Sequence, residues 1–298
     1  MKTNLYCLTA LVSILCITSC TKVQLSEEQP ENLNSKSVSP SKSSCNAISF
    51  NAQSLSDPDY HYSNFTKTVD PVTGRTTAIE VGIFSGGGFS EWIKFDVVYK
   101  NKSMALVLSG NKADTVMNIR LNNEGFADFT TNGNAPDVNF LPTKLKYKNG
   151  KLMRRSISFN GMELVANFSY DGNGNLTLMQ DVSLFGEVPG RSEFSYDLNR
   201  SAANQRYFDE PRGFAENSYM VLQYLDLLPL APKNLRTGSK VYWEDDYLVS
   251  DVSLTGHVVD GKGNLVSYKS VSPESGTEIS QFTVNWSCPS NASEPGIQ

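Results

Sequence analysis

The chain has 298 residues, 39% of them hydrophobic and 19% charged, with a formal net charge of −5. Such a mild acidic balance, read as spread along the chain, argues against nucleic acid as a partner, because that requires a basic footprint. The length suffices for one large β domain or two small ones, and with only two histidines there is little material for acid–base or metal chemistry.

The first element is a leader. Lys2 supplies a short basic region, and Leu5 to Ile17 is an apolar run too short to span a bilayer as a helix. The run ends in Ile17-Thr18-Ser19-Cys20, "ITSC", which resembles the bacterial lipobox. Residues 1–19 are therefore expected to be a cleaved lipoprotein signal and Cys20 the lipidated first residue. The lipid would hold a domain at the membrane surface without spanning the membrane. Residues 20–44 follow as the lipidated cysteine and a tether rich in Ser, Glu, Asn and Pro. A segment of that composition buries too little apolar surface to order itself, and its reach is roughly 27 Å. Thr21 stands where an aspartate would retain a lipoprotein at the inner membrane, and acids first appear at Glu27 and Glu28. The expectation is an outer-membrane anchor, facing the periplasm or the cell surface.

Once Cys7 and Cys16 leave with the signal and Cys20 carries lipid, Cys45 and Cys288 remain. In an oxidising compartment the pair predicts a disulfide bracketing the folded region, residues 45–288. Residues 289–298 read as a flexible tail.

Between the two cysteines the dominant signal has period two. Ile93, Phe95, Val97 and Tyr99 share one face, as do Met162, Leu164, Ala166, Phe168 and Tyr170, and then Phe282, Val284 and Trp286. One-sided alternation predicts antiparallel strands with one wet face. Asn149-Gly150, Asn160-Gly161 and Gly174-Asn175 punctuate the strands at the spacing of a meander joined by tight turns. One segment departs from this rhythm. In Asn217 to Leu228, "NSYMVLQYLDLL", Tyr219, Leu222 and Leu225 fall at helical spacing, and Pro229 ends the run. The expected fold is mainly β: a curved antiparallel meander, an open sheet or half-barrel, with one amphipathic helix packed on it. That helix would plug or cover the open face of the curved sheet, or act as a lid over a groove.

The stretch Asp171-Gly172-Asn173-Gly174-Asn175-Leu176 has a near copy in Asp260-Gly261-Lys262-Gly263-Asn264-Leu265. Alternating oxygens raise the question of calcium, but a calcium loop needs glycine at its sixth position and glutamate at its twelfth. Leu176 and Val182 stand there, and the copy has Lys262 at the third position. Both copies are predicted to be hairpin turns.

Tyr170-Asp171-x-x-Gly174-Asn175-Leu176 is similar to the hairpin unit of YD-type repeat proteins. Residues 145–270 resemble envelope lipoproteins of unknown function from Bacteroidota. In these an insert beginning with a phrase like Tyr207-Phe208-Asp209-Glu210-Pro211-Arg212-Gly213-Phe214 runs on into a Leu-rich helix. The resemblance implies a curved antiparallel sheet with one helix and no established activity.

Chemistry-bearing motifs are sparse. His61 and His257 stand far apart, and there is no zinc spacing and no nucleophile elbow. The acid clusters Asp57/Asp59 and Glu244-Asp245-Asp246 read as solvated turns. No cofactor, metal or catalytic residue is expected, and the chain is read as not an enzyme. Phe84, Phe89 and Trp92, flanking Gly86-Gly87-Gly88, form the one candidate surface for a glycan or peptide. Asp114-Thr115-Val116 resembles an O-glycosylation acceptor, with Thr115 as its hydroxyl. The leading functional expectation is a monomeric, non-catalytic binding or scaffolding lipoprotein of the cell envelope. A carrier of lipid or another apolar ligand and a glycan-acting hydrolase are the alternatives.

Overall fold

The computed structural model describes residues 45–56, 61–85, 88–110, 114–135, 140–159, 161–182, 190–207, 217–229, 231–243 and 246–288. The strands are β1 (Asn46–Ser54), β2 (His61–Val69), β3 (Thr76–Ser85), β4 (Gly88–Lys100), β5 (Ser103–Leu108), β6 (Thr115–Leu121), β7 (Ala127–Asn132) and β8 (Thr143–Lys148). They continue with β9 (Lys151–Phe159), β10 (Met162–Tyr170), β11 (Leu176–Val182), β12 (Arg191–Ser201), β13 (Asn234–Tyr242), β14 (Leu248–Val259), β15 (Leu265–Val271) and β16 (Glu278–Ser287). A helix, α1 (Asn217–Tyr224), lies between β12 and β13.

Each strand pairs antiparallel with the next, and β1 pairs with β16, so the sheet closes into a barrel. This corrects the expectation of an open sheet or half-barrel. Period-two patterning fixes which face is buried but is silent on whether the first and last strands meet. Here the seam runs from Asn46↔Ser287 to Ser54↔Ser280, and among the described residues no strand is left with an unpaired edge. Immediately beyond it a disulfide joins Cys45 and Cys288, with Cα atoms 4.1 Å apart. The bridge staples the barrel where it closes.

Turn chemistry sets the ladder. Between β8 and β9 the reversal uses Asn149 (φ 53°) and Gly150 (φ 70°), the left-handed pair that matches strand twist in a two-residue hairpin. From such turns the alternation runs in step around the wall. Phe50, Phe65, Val81 and Ile93 form one inward row, and β10 turns Leu164, Ala166 and Phe168 inward. The outward rows carry charge pairs, Glu80 facing Lys94 and Lys240 standing between Glu193 and Asp251, interspersed with exposed apolar side chains such as Trp92, Val98, Val182 and Leu248.

The helix also departs from expectation. It does not lie on the sheet with one face wet but sits within the lumen. Tyr219 and Leu222 are fully buried, and Val221, Gln223 and Tyr224 nearly so. A helix buried on both sides belongs in an interior. Tyr224 stacks on Phe65 of β2 at 4.4 Å, Tyr219 on Phe168 of β10 at 6.3 Å. Helix and wall thus share one core.

Candidate functional site: the plugged lumen

A barrel of sixteen strands leaves a channel unless something fills it. Here the described parts of the segment between β12 and β13, residues 202–207, 217–229 and 231–233, do so, and the two copies of the Asp-Gly-x-Gly-Asn-Leu motif hold its two ends. At Asp171, Oδ1 accepts the amides of Asn173 and Asn175, and Oδ2 accepts Asn175 Nδ2 at 2.8 Å. Asp260 repeats these bonds with Lys262 and Asn264. Partial burial would raise both carboxyls, but the side-chain and backbone donors around them hold each below the usual aspartate value. Gly174 and Gly263 supply the positive φ (93° and 82°) that each reversal requires. Both motifs are turns, and the side-chain oxygens of Asp171, Asn175, Asp260 and Asn264 are taken up by amides.

The two asparagines do more than turn. Asn264 Oδ1 accepts Asn204 Nδ2 at 2.6 Å, and the Leu265 amide donates to the Asn204 carbonyl at 2.9 Å. Its Nδ2 also lies 3.6 Å from Cys288 Sγ. Asn175 Oδ1 accepts the amides of Lys233 and Asn234 at 2.9 and 3.0 Å, and its Nδ2 donates to Asn234 Oδ1. Both side chains are fully buried. The segment is clamped where it leaves the wall and where it rejoins it. Sequence reasoning recognised the turns and missed the clamps; the signal was the asparagine repeated ahead of a leucine in both copies.

Inside, charge fixes the plug. Past the helix the chain turns at Asp226 (φ 58°), whose Oδ2 accepts Lys67 Nζ at 2.6 Å and Oδ1 accepts Arg206 Nε at 2.9 Å. Lys67, inward on β2, has no exposed side-chain surface. Burial pushes the Lys67 ammonium below its ordinary pKa despite Asp226. For Asp226 burial acts upward, yet the Arg206 and Lys67 charges hold the carboxyl below its ordinary value. Two further cations stack on plug rings: Arg155 over Tyr219 at 5.1 Å, and Arg236 over Tyr207 at 4.6 Å.

Among the described residues, two spaces lie beside the plug. One, of about 910 Å³, opens at the end that carries the clamps and is lined by Lys151, Tyr170, Asn173, Arg206, Asp226 and Lys233 among others. The other, about 300 Å³, lies against Tyr207, Arg236, Leu254, Tyr268, Ser270, Ser280 and Phe282. Tyr268 and Phe282 stack at 4.5 Å beside it.

The predicted site residues fall apart. Tyr219, Leu222 and Leu225 line no groove as a lid; they are core. Trp92 is 41% exposed on β4, while Phe84 and Phe89 are register partners whose side chains lie outside the described residues. Thr115 opens β6 half-buried, its amide donating to Asn134 Oδ1. His257 stacks on Tyr268 at 6.1 Å, and burial lowers its pKa while a bond to the Arg236 carbonyl opposes this. Asp246 pairs with Arg191. Cys20, Asp57, Asp59, Glu244, Asp245 and the His61 side chain lie outside the described residues.

The fold and its filling define a class: a closed, antiparallel sixteen-stranded barrel with an internal plug. Neither a family model nor a curated protein matches the chain. Solved structures do. A porin-like protein from Bacteroides uniformis superposes with a TM-score of 0.58 at 16% identity, covering 83% of this chain and 100% of its own. A porin-like protein from Bacteroides vulgatus gives 0.53 at 10% identity, over 82% and 99%. At such identities the likeness is one of fold.

Proposed function

We propose that the chain is a non-catalytic envelope module, a barrel with a water-facing wall that is tethered to the outer membrane through Cys20 and binds or scaffolds there. One observation carries the reading: the wall is inside-out relative to a membrane-spanning barrel. A spanning barrel shows lipid an apolar band and keeps polar groups within, and a Lys or Arg on its lipid face costs roughly 2–4 kcal/mol at the midplane. This wall turns Lys94, Lys144, Lys146, Arg154 and Asn167 outward, while Phe65, Ile79, Phe95, Leu106 and Met117 are buried inward. The porin-like neighbours add an envelope setting to this reading. The plug, joined to the wall by buried ion pairs and ring contacts, argues against an open pore.

The test is fractionation of cells producing the full chain and its Cys20→Ser variant. Wild type is expected in the membrane pellet and the variant in the soluble periplasmic fraction; a variant that still needs detergent for release contradicts the reading.

The smaller cavity favours a second reading, carriage of a small apolar ligand, since Leu254, Tyr268 and Phe282 line it. Native mass spectrometry of the purified protein would detect a co-purified ligand, and its loss in a cavity-filling Ser280→Leu variant would support carriage.

A further inference from the structure

The strands β8 and β9 gather cations on their outward face. Lys144, Lys146 and Lys148 alternate along β8, each exposed, with Leu145 buried between them. Arg154 stands directly across from Lys146, and Lys151 is the register partner of Lys148, its ammonium turned over the Tyr170 ring at 5.0 Å where it lines the clamp-end cavity. The charges therefore form a ribbon and not a scatter, which corrects the reading of the sequence charge as spread. Like charges in direct cross-strand register oppose folding, so the ribbon is a feature that stability alone does not favour.

Four outward cations elsewhere on the wall pair with acids, whereas among the described residues Lys94, Lys100 and Arg200 stand singly. Arg120 pairs with Asp128, Arg191 with Glu193, Lys240 with Asp251 and Lys269 with Glu278. Among the described residues no ion pair takes Lys144, Lys146, Lys148, Lys151 or Arg154. The ribbon also continues sideways as a row of donors: Lys146, Arg154, Asn167 and Gln180 are register neighbours across β8 to β11, and the row ends on Arg191 of β12, which is paired with Glu193 and Asp246. Neighbouring strands are about 4.8 Å apart and same-face residues about 6.8 Å apart along a strand. The surface thus presents cations and amide donors at regular intervals over several strands, as a linear chain of repeated anionic groups requires.

We propose that this face binds a linear acidic polysaccharide, one bearing uronate or sulfate groups. Cations read the charges, while Asn167 and Gln180 donate to ring oxygens and hydroxyls between them. The regular row of donors across successive strands favours a polymer of repeated anionic groups over a lipid surface. The proposal deepens the reading of the protein as a tethered binding module and rests on it.

The test uses the mature chain from residue 21, with heparin and polygalacturonate as probes, and vesicles of phosphatidylcholine with or without phosphatidylglycerol as the competing class. Wild type should be retained on immobilised heparin, bind polygalacturonate, and lose both as salt rises, since exposed charges are screened within about 10 Å at 0.1 M ionic strength. The triple variant Lys144→Glu/Lys146→Glu/Lys148→Glu should bind at least roughly tenfold more weakly. A control, Lys94→Glu/Lys100→Glu/Lys262→Glu, carries the same change of charge at exposed positions elsewhere and should bind like wild type. Equal loss in the control, no binding to either polymer at low salt, or binding to anionic vesicles alone overturns the proposal. A protein that fails these assays yet stays dispersed without detergent loses its ligand and keeps its wall; one that needs detergent loses the underlying reading instead.

Discussion

Asn175 and Asn264 occupy the same position in two copies of one turn, and each binds one end of the same plug. Asn264 holds Asn204, where the chain leaves β12, and Asn175 holds Lys233 and Asn234, where it returns to β13. A repeated turn sequence has become a pair of clasps on a single insert. Replacing either asparagine by alanine leaves buried polar groups unsatisfied, at roughly 1–3 kcal/mol for each group left without a partner. Asn175→Ala and Asn264→Ala should each lower stability by about 2–3 kcal/mol, measured by urea unfolding. Gly263→Ala should act in the same direction, because its φ is positive and a Cβ there would meet Ala203 Cβ at 3.1 Å.

Asp226 is the only carboxylate that Lys67 and Arg206 are seen to share among the described residues. Removing one partner of a buried pair strands the other charge. Asp226→Asn should destabilise by about 3 kcal/mol, and Lys67→Met combined with Asp226→Leu should recover much of that loss. A thermal melt of the three proteins decides it. If Asp226→Asn melts with wild type, the ion pairs do not hold the plug.

The disulfide acts on the seam. It closes a loop across a sequence separation of 243 residues, for which the chain-entropy estimate is about 5 kcal/mol less native strain. Cys45→Ser should lower the unfolding free energy by about 3–5 kcal/mol while leaving the circular-dichroism spectrum of the barrel intact, because the β1–β16 ladder persists. Reduction of wild type should reproduce the same fall.

His257 makes stability depend on pH in a defined direction. Burial lowers its folded pKa below the ordinary histidine value, so on acidification the unfolded chain takes up the proton first. The contribution is fully present above about pH 6.5 and is lost progressively below it. Unfolding free energies measured between neutral and mildly acidic pH should decline more steeply for wild type than for His257→Gln. Parallel curves would contradict the assignment.

What the sequence made legible follows the range of the interactions. Period two along Ile93 to Tyr99 and Leu164 to Tyr170 reports a local fact, the wet and dry faces of a strand, and the turns at Asn149-Gly150 and Asp171 are set by neighbouring residues. Closure is not local: Asn46 must meet Ser287, and nothing near either residue announces it. The helix was misplaced for a related reason. Tyr219, Leu222 and Leu225 gave a stripe, but Val221, Gln223 and Tyr224 on the other side are buried as well, and only the enclosing wall explains that. The basic ribbon was in plain view from Lys144 to Arg154; an average over the whole chain hid it. The cation row became a surface only when the register set Arg154 against Lys146.

The account depends most on the wall facing water. Residues 45–288, produced without leader or tether and purified without detergent, should run as a monodisperse species in size-exclusion chromatography with light scattering, with no detergent bound when a mild one is then supplied. Aggregation without detergent, together with a bound detergent belt when it is present, would show that the outward lysines do not meet water and would contradict the account.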